Sequence, residues 1–108
     1  MLRIHTFILE SLRFLRPVIA SIGRVDRDLS SQMRRAAQSI ALNVAEGEYS
    51  RGRNQAARLH TALASARETL SCLEVAQAMG YLDVIDADLA DRLDRIIGTL
   101  VRLVKRFD

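Results

Sequence analysis

The chain has 108 residues, of which 49% are apolar, and a formal net charge of +3. That is enough apolar material for one core-forming domain over residues 1–108 without disulfides or metal. A lone cysteine, Cys72, excludes an internal disulfide and a cysteine metal cage. Tryptophan is absent and aromatic residues make up 5% of the chain, which argues against an aromatic platform for stacking single-stranded bases. No apolar run approaches the ~20 residues of a membrane span. Met1 to His5 lead straight into amphipathic sequence without a secretory apolar segment. A reduced, cytoplasmic setting is therefore expected.

Alanine, leucine and arginine dominate, and with one proline and five glycines the mixture favours helix. The first helix is predicted over residues 3–22, where Ile4, Ile8, Leu12, Leu15, Ile19 and Ile22 recur at steps of three and four. Pro17 removes one donor inside that span, so a kink near Phe14 to Pro17 is expected. Gly23 is the predicted stop.

Asp26 or Asp28 caps the second helix. Its buried face is Leu29, Met33, Ala36, Ala37, Ile40 and Val44, and Gly47 is expected to end it. Ser50 then serves as N-cap of a third helix over residues 51–79, closed by Gly80. Here Leu59, Leu63, Ala66, Leu70 and Leu73 occupy seam positions. Asp83 or Asp86 caps the fourth helix, whose core stripe is Leu89, Leu93, Ile96, Leu100, Leu103 and Phe107. Its acidic start and basic end suit the helix dipole. Four amphipathic helices with short connections predict an all-α, up-down-up-down antiparallel bundle.

Three groups of residues stand apart from the core pattern. Phe7, Phe14 and Val18 form a second apolar stripe on the first helix, and Leu42 lies opposite the core of the second. Stripes at helical spacing usually meet something, so these are the expected contacts between copies of the chain. Gln32, Arg35, Ser39, Asn43 and Glu46 share one flank of the second helix. Without a histidine or metal this flank is a poor catalytic set, and a network that fixes helix register or accepts Arg35 at a subunit boundary is the simpler expectation. Arg34, Arg35, Arg51, Arg53 and Arg58 face only Glu46 and Glu48 between residues 31 and 60. They form either a phosphate-binding surface, for which the planar guanidinium fork is suited, or a solvated basic face.

No nucleophile elbow, phosphate-cradling loop or dinucleotide motif is present. His5 and His60 belong to no Glu-x-x-His pair, so the di-iron bundle pattern is missing. Cys72, with Glu68 one turn away, reads as a packing residue. No catalytic activity, metal or cofactor is expected.

The run Gln32-Met33-Arg34-Arg35-Ala36-Ala37-Gln38-Ser39-Ile40, followed by Asn43-Val44-Ala45-Glu46-Gly47 and Arg51, resembles bacterial four-helix-bundle proteins of the 23S rRNA intervening-sequence type. Residues 73–82, Leu-Glu-Val-Ala-Gln-Ala-Met-Gly-Tyr-Leu, resemble the end of that family's third helix. The resemblance implies a small cytoplasmic bundle that assembles into a ring, commonly a homopentamer, with a basic surface suited to RNA or DNA. The accessory variability determinants of diversity-generating retroelements look like the same bundle, which implies a reverse transcriptase as a further partner. The competing class is a protein–protein adaptor. Val25-Asp26-Arg27-Asp28 departs from the family's aromatic-proline-acidic segment, and Ala41 stands where a proline is usual.

Overall fold

The computed structural model describes residues 3–107; Met1, Leu2 and Asp108 lie outside the described residues. Four helices follow one another: α1 (Arg3–Gly23), α2 (Arg27–Tyr49), α3 (Arg53–Ala78) and α4 (Ala87–Phe107). No strand occurs among the described residues. The molecule measures 42 × 24 × 20 Å. The 26 residues of α3, at 1.5 Å each, span nearly that long axis. Successive helices pack side by side and α1 meets α4, which closes a four-helix bundle. The α2–α3 contact is the most extensive and α1–α4 the least.

Local chemistry explains most helix ends. Asp26, rather than Asp28, is the N-cap of α2: its carboxylate accepts from Leu29 N at 2.9 Å. Asp86, rather than Asp83, does the same for Leu89 N at 3.1 Å. The end of α3 is a Schellman turn. Gly80 has φ +79° and bonds Gln77 O, while Tyr81 N bonds Ala76 O at 2.8 Å. Loss of hydration, and then the neighbouring Asp26 carboxylate, push the Tyr81 phenol above its ordinary value. Tyr81 thus stands beside the residue that caps α2. Helix α1 runs through Pro17 without interruption.

Two expectations fail at the α2–α3 junction. Gly47 does not end α2, which continues to Tyr49. Only Gly52 and Gly80 have positive φ, and Gly47 is instead buried against Leu59. Its missing side chain serves helix contact rather than chain reversal. Ser50 is not the N-cap of α3 but the C-cap of α2, where its N–H bonds Gly47 O and its hydroxyl bonds Glu46 O. Gly52, at φ +58°, starts α3 without a side-chain cap.

The core divides into two clusters. One holds Ile4, Ile8, Ile40, Val44, Leu59, Leu63, Ile96 and Leu100, and the other Leu15, Ile22, Met33, Cys72, Leu73, Leu89 and Leu93. Between them lies a polar waist of Ser11 and Thr69, both buried. Their hydroxyls donate to carbonyls one turn back in their own helices, Phe7 O and Ser65 O, each at 2.8 Å. These bonds satisfy the two groups where water is excluded. Leu103 is only half-buried and Phe107 is exposed, so the core stripe of α4 ends at Val104.

Cys72 is 3% exposed, and burial followed by the Glu68 charge pushes its thiol upward. The thiolate is the reactive form, so native protein should resist alkylation at pH 8 and react only when unfolded. Fast native labelling by iodoacetamide, followed by mass spectrometry, would contradict this burial.

Candidate nucleic-acid interface

The five arginines expected to meet phosphate are all exposed, but they do not form one patch. Arg51 sits in the three-residue α2–α3 connection, with Arg53 at the first position of α3. Arg58 follows one turn and a half later and points across to α2, where Nη1 donates to Asn43 Oδ1 at 3.5 Å. These three occupy one end of the bundle. Arg35 lies eight residues before Asn43 along α2, about 12 Å away by helical rise.

Adjacency in sequence also separates Arg34 from Arg35, because neighbouring residues on a helix diverge by ~100°. Arg35 turns back along α2 and donates to Ser31 Oγ at 3.0 Å. Arg34 faces α1, where it lines a cleft with Arg16 of that helix. The candidate arginines therefore fall in three places: the α2–α3 end, the outer flank of α2, and the α1–α2 groove. Arg16 was missed in sequence because nothing in its own neighbourhood marks it; only the pairing of α1 with α2 brings it to Arg34.

The polar flank of α2 is a structural seam in its middle and solvent at its ends. Asn43 Nδ2 donates to Ser39 O at 2.9 Å and to Ser39 Oγ at 3.0 Å. Ser65 of α3 donates to Ser39 Oγ at 2.7 Å. Ser39, Asn43, Ser65 and Arg58 thus link α2 to α3, while Gln32 and Glu46 are exposed. Gln55 adds a second cross-link, from Nε2 to Gly47 O at 3.1 Å. The half-buried hydroxyl and amide groups fix the axial register of the two helices.

Phe7, Phe14 and Val18 have neighbours within the chain. Phe7 is half-buried against the first core cluster and Val18 against the second. Arg92 of α4 lies with its guanidinium carbon 4.8 Å from the Phe7 ring centre and 4.3 Å from that of Phe14. Arg95 stacks on Phe7 at 4.7 Å. Arg92 also donates to Ser11 Oγ at 3.2 Å and lies 3.8 Å from Glu10. It is a latch across the loosest helix pair, and sequence could not reveal it because Ser11 and Arg92 are 81 positions apart. Phe14 keeps 49% of its surface and Leu42 64%.

The five candidate arginines are exposed, and two of them use a guanidinium nitrogen on a neighbouring polar side chain, Arg35 on Ser31 and Arg58 on Asn43. Arginine supplies almost all the positive charge of the chain: Lys105 is the one lysine. Among the described residues no three His, Cys, Asp or Glu side chains come together as metal ligands. None of the described helices is long and apolar enough to cross a membrane.

No curated protein and no solved structure matches this chain significantly. The model of the family described as 23S rRNA-intervening sequence protein matches residues 20–102, which takes in most of the chain and all five arginines. With the four-helix architecture that the same residues build, the chain belongs to the 23S rRNA-intervening sequence protein family.

Proposed function

We propose that this protein is a non-catalytic accessory factor that associates with copies of itself and binds RNA through the phosphate backbone. The observation that supports it best is the set of exposed arginine forks on α2 and at the α2–α3 end. Guanidinium groups of this kind hold phosphate bidentately. Contacts to phosphate position a nucleic acid without reading its sequence, so the affinity is general and salt-sensitive. The exposed Phe14 and Leu42 supply apolar surface for self-association, with a pentameric ring as the assembly that the family resemblance implies. The cytoplasm is its proposed setting, and a reverse transcriptase its partner if the gene sits in a retroelement.

The test is binding to a structured RNA and to a matched DNA duplex across a salt series. Submicromolar RNA binding that weakens steeply with salt is expected. Replacing Arg34 and Arg35 together with glutamine should lower affinity several-fold and reduce the slope of log K against log salt by roughly 1–2. The far-UV circular dichroism of that double variant should stay unchanged. Absence of binding at low salt would favour a protein adaptor, with the arginines left as a solvated face.

A further inference from the structure

Arg16 and Arg34 stand on neighbouring helices at the rim of a cleft of about 230 Å³. Its floor is apolar, made by Leu12 and Ile19 of α1 and Ala37 of α2, and the Gln38 amide completes the rim. Both arginines are exposed, and among the described residues neither makes a hydrogen bond or ion pair. A surface that only holds phosphate has no use for an apolar floor. A helix pair that only builds a core has no use for two free guanidinium groups at its seam.

We propose that this cleft receives one unpaired nucleobase of an RNA chain, with the flanking phosphates on Arg16 and Arg34. The proposal rests on the RNA-binding function above and gives it a substrate class: RNA with bulged or looped-out nucleotides rather than uninterrupted duplex. Size points to a base, since the cleft falls below the ~300 Å³ at which sites for whole small molecules begin. It suits one flat ring system. Aliphatic walls hold an extruded base as aromatic ones do, and an amide carries both the donor and the acceptor that a base edge needs.

Charge points the same way. Residues 1–60 hold ten arginines against five acidic residues, whereas residues 61–108 hold six basic against eight acidic. The excess belongs to the first 60 residues, which run from α1 through α2 into the start of α3, and the cleft between α1 and α2 lies among them. A subunit contact would take ~800 Å² from each partner, far more than three floor side chains offer.

The experiment uses the full chain and two RNAs of equal length. One is a hairpin with a single bulged 2-aminopurine; in the other the 2-aminopurine is base-paired. The bulged RNA is expected to bind about tenfold more tightly, from base burial alone. Its fluorescence should change on binding as the base leaves solvent. Gln38→Phe fills the cleft from an exposed rim position and should abolish both the preference and the fluorescence change. Arg16→Gln and Arg34→Gln should each lower the salt slope on the bulged RNA by about 0.7.

Equal affinity for the two RNAs, or a preference that survives in Gln38→Phe, would overturn the cleft while leaving general RNA binding in place. Failure of both RNAs to bind would overturn the two proposals together. A fall in the mass of the assembly on Arg16→Gln would make the cleft a subunit contact, and the nucleobase proposal would be wrong.

Discussion

Truncating Leu93 to alanine is expected to cost about 2–5 kcal/mol, the largest effect of any single change proposed for this bundle. Leu93 has no exposed surface and sits in the cluster of Leu15, Ile22, Met33, Leu73 and Leu89. Rigid helices on its several sides limit how far the hole can close, so the cavity term adds to the lost transfer energy. For a chain of this size each kilocalorie lowers the melting midpoint by about 4–8 °C, so a drop of at least ~8 °C is expected. Thermal melts at matched protein concentration measure it, because self-association would otherwise shift the midpoint. A loss below ~1 kcal/mol would show that the helices collapse into the space.

Its sequence neighbour behaves differently. Arg92→Ala should destabilise by about 1–2 kcal/mol, chiefly through the lost stacking on Phe7 and Phe14 and the lost bond to Ser11. The Glu10 contact adds little, being 3.8 Å long with half of the Glu10 side chain in solvent. Ser11 still has Phe7 O as its acceptor, so no buried donor is orphaned. The more telling outcome is surface chemistry: with the guanidinium gone, both rings face water at the α1–α4 groove. Increased binding of a hydrophobic dye should accompany the variant. Arg92→Met, which keeps the stem and removes the charge, should recover part of the stability. If Met and Ala were equally damaging, the interaction would be electrostatic rather than steric.

How much of this was legible in advance depended on how local the physics is. A cap is a bond between a side chain and a backbone group three positions on, so Asp26 and Asp86 were both named, each as one of two options. The core faces followed from periodicity for the same reason. Gly47 misled because a glycine stops a helix only where the chain adopts positive φ, and the following residues place that reversal at Gly52. The close approach of Leu59 explains Gly47 instead, and that contact belongs to the packing of α2 on α3.

The candidate arginines show the same limit. All five arginines are exposed, as their polar neighbours suggested, but grouping Arg34 with Arg35 mistook sequence adjacency for a shared face. Arg34 lines a groove with Arg16, eighteen positions earlier, and Arg35 bonds Ser31 on its own helix. The polar flank was expected to fix register, and its central pair, Ser39 and Asn43, does reach Ser65 and Arg58. Phe7 and Phe14, seven residues apart, announced a stripe. The arginine that covers them comes from the far end of the chain.

The waist at Ser11 and Thr69 makes the bundle behave as two short cores in series. Each end carries its own apolar contacts, and the layer between them adds one carbonyl bond within α1 and one within α3, with Arg92 of α4 reaching Ser11 across the seam. Opening at one end would draw chiefly on its own cluster, with Leu12 as a side chain that packs against both. A partner that prised apart the end bearing Arg51 and Arg53 would leave the Tyr81 end folded, so the protein could remodel one face without losing its identity as a bundle.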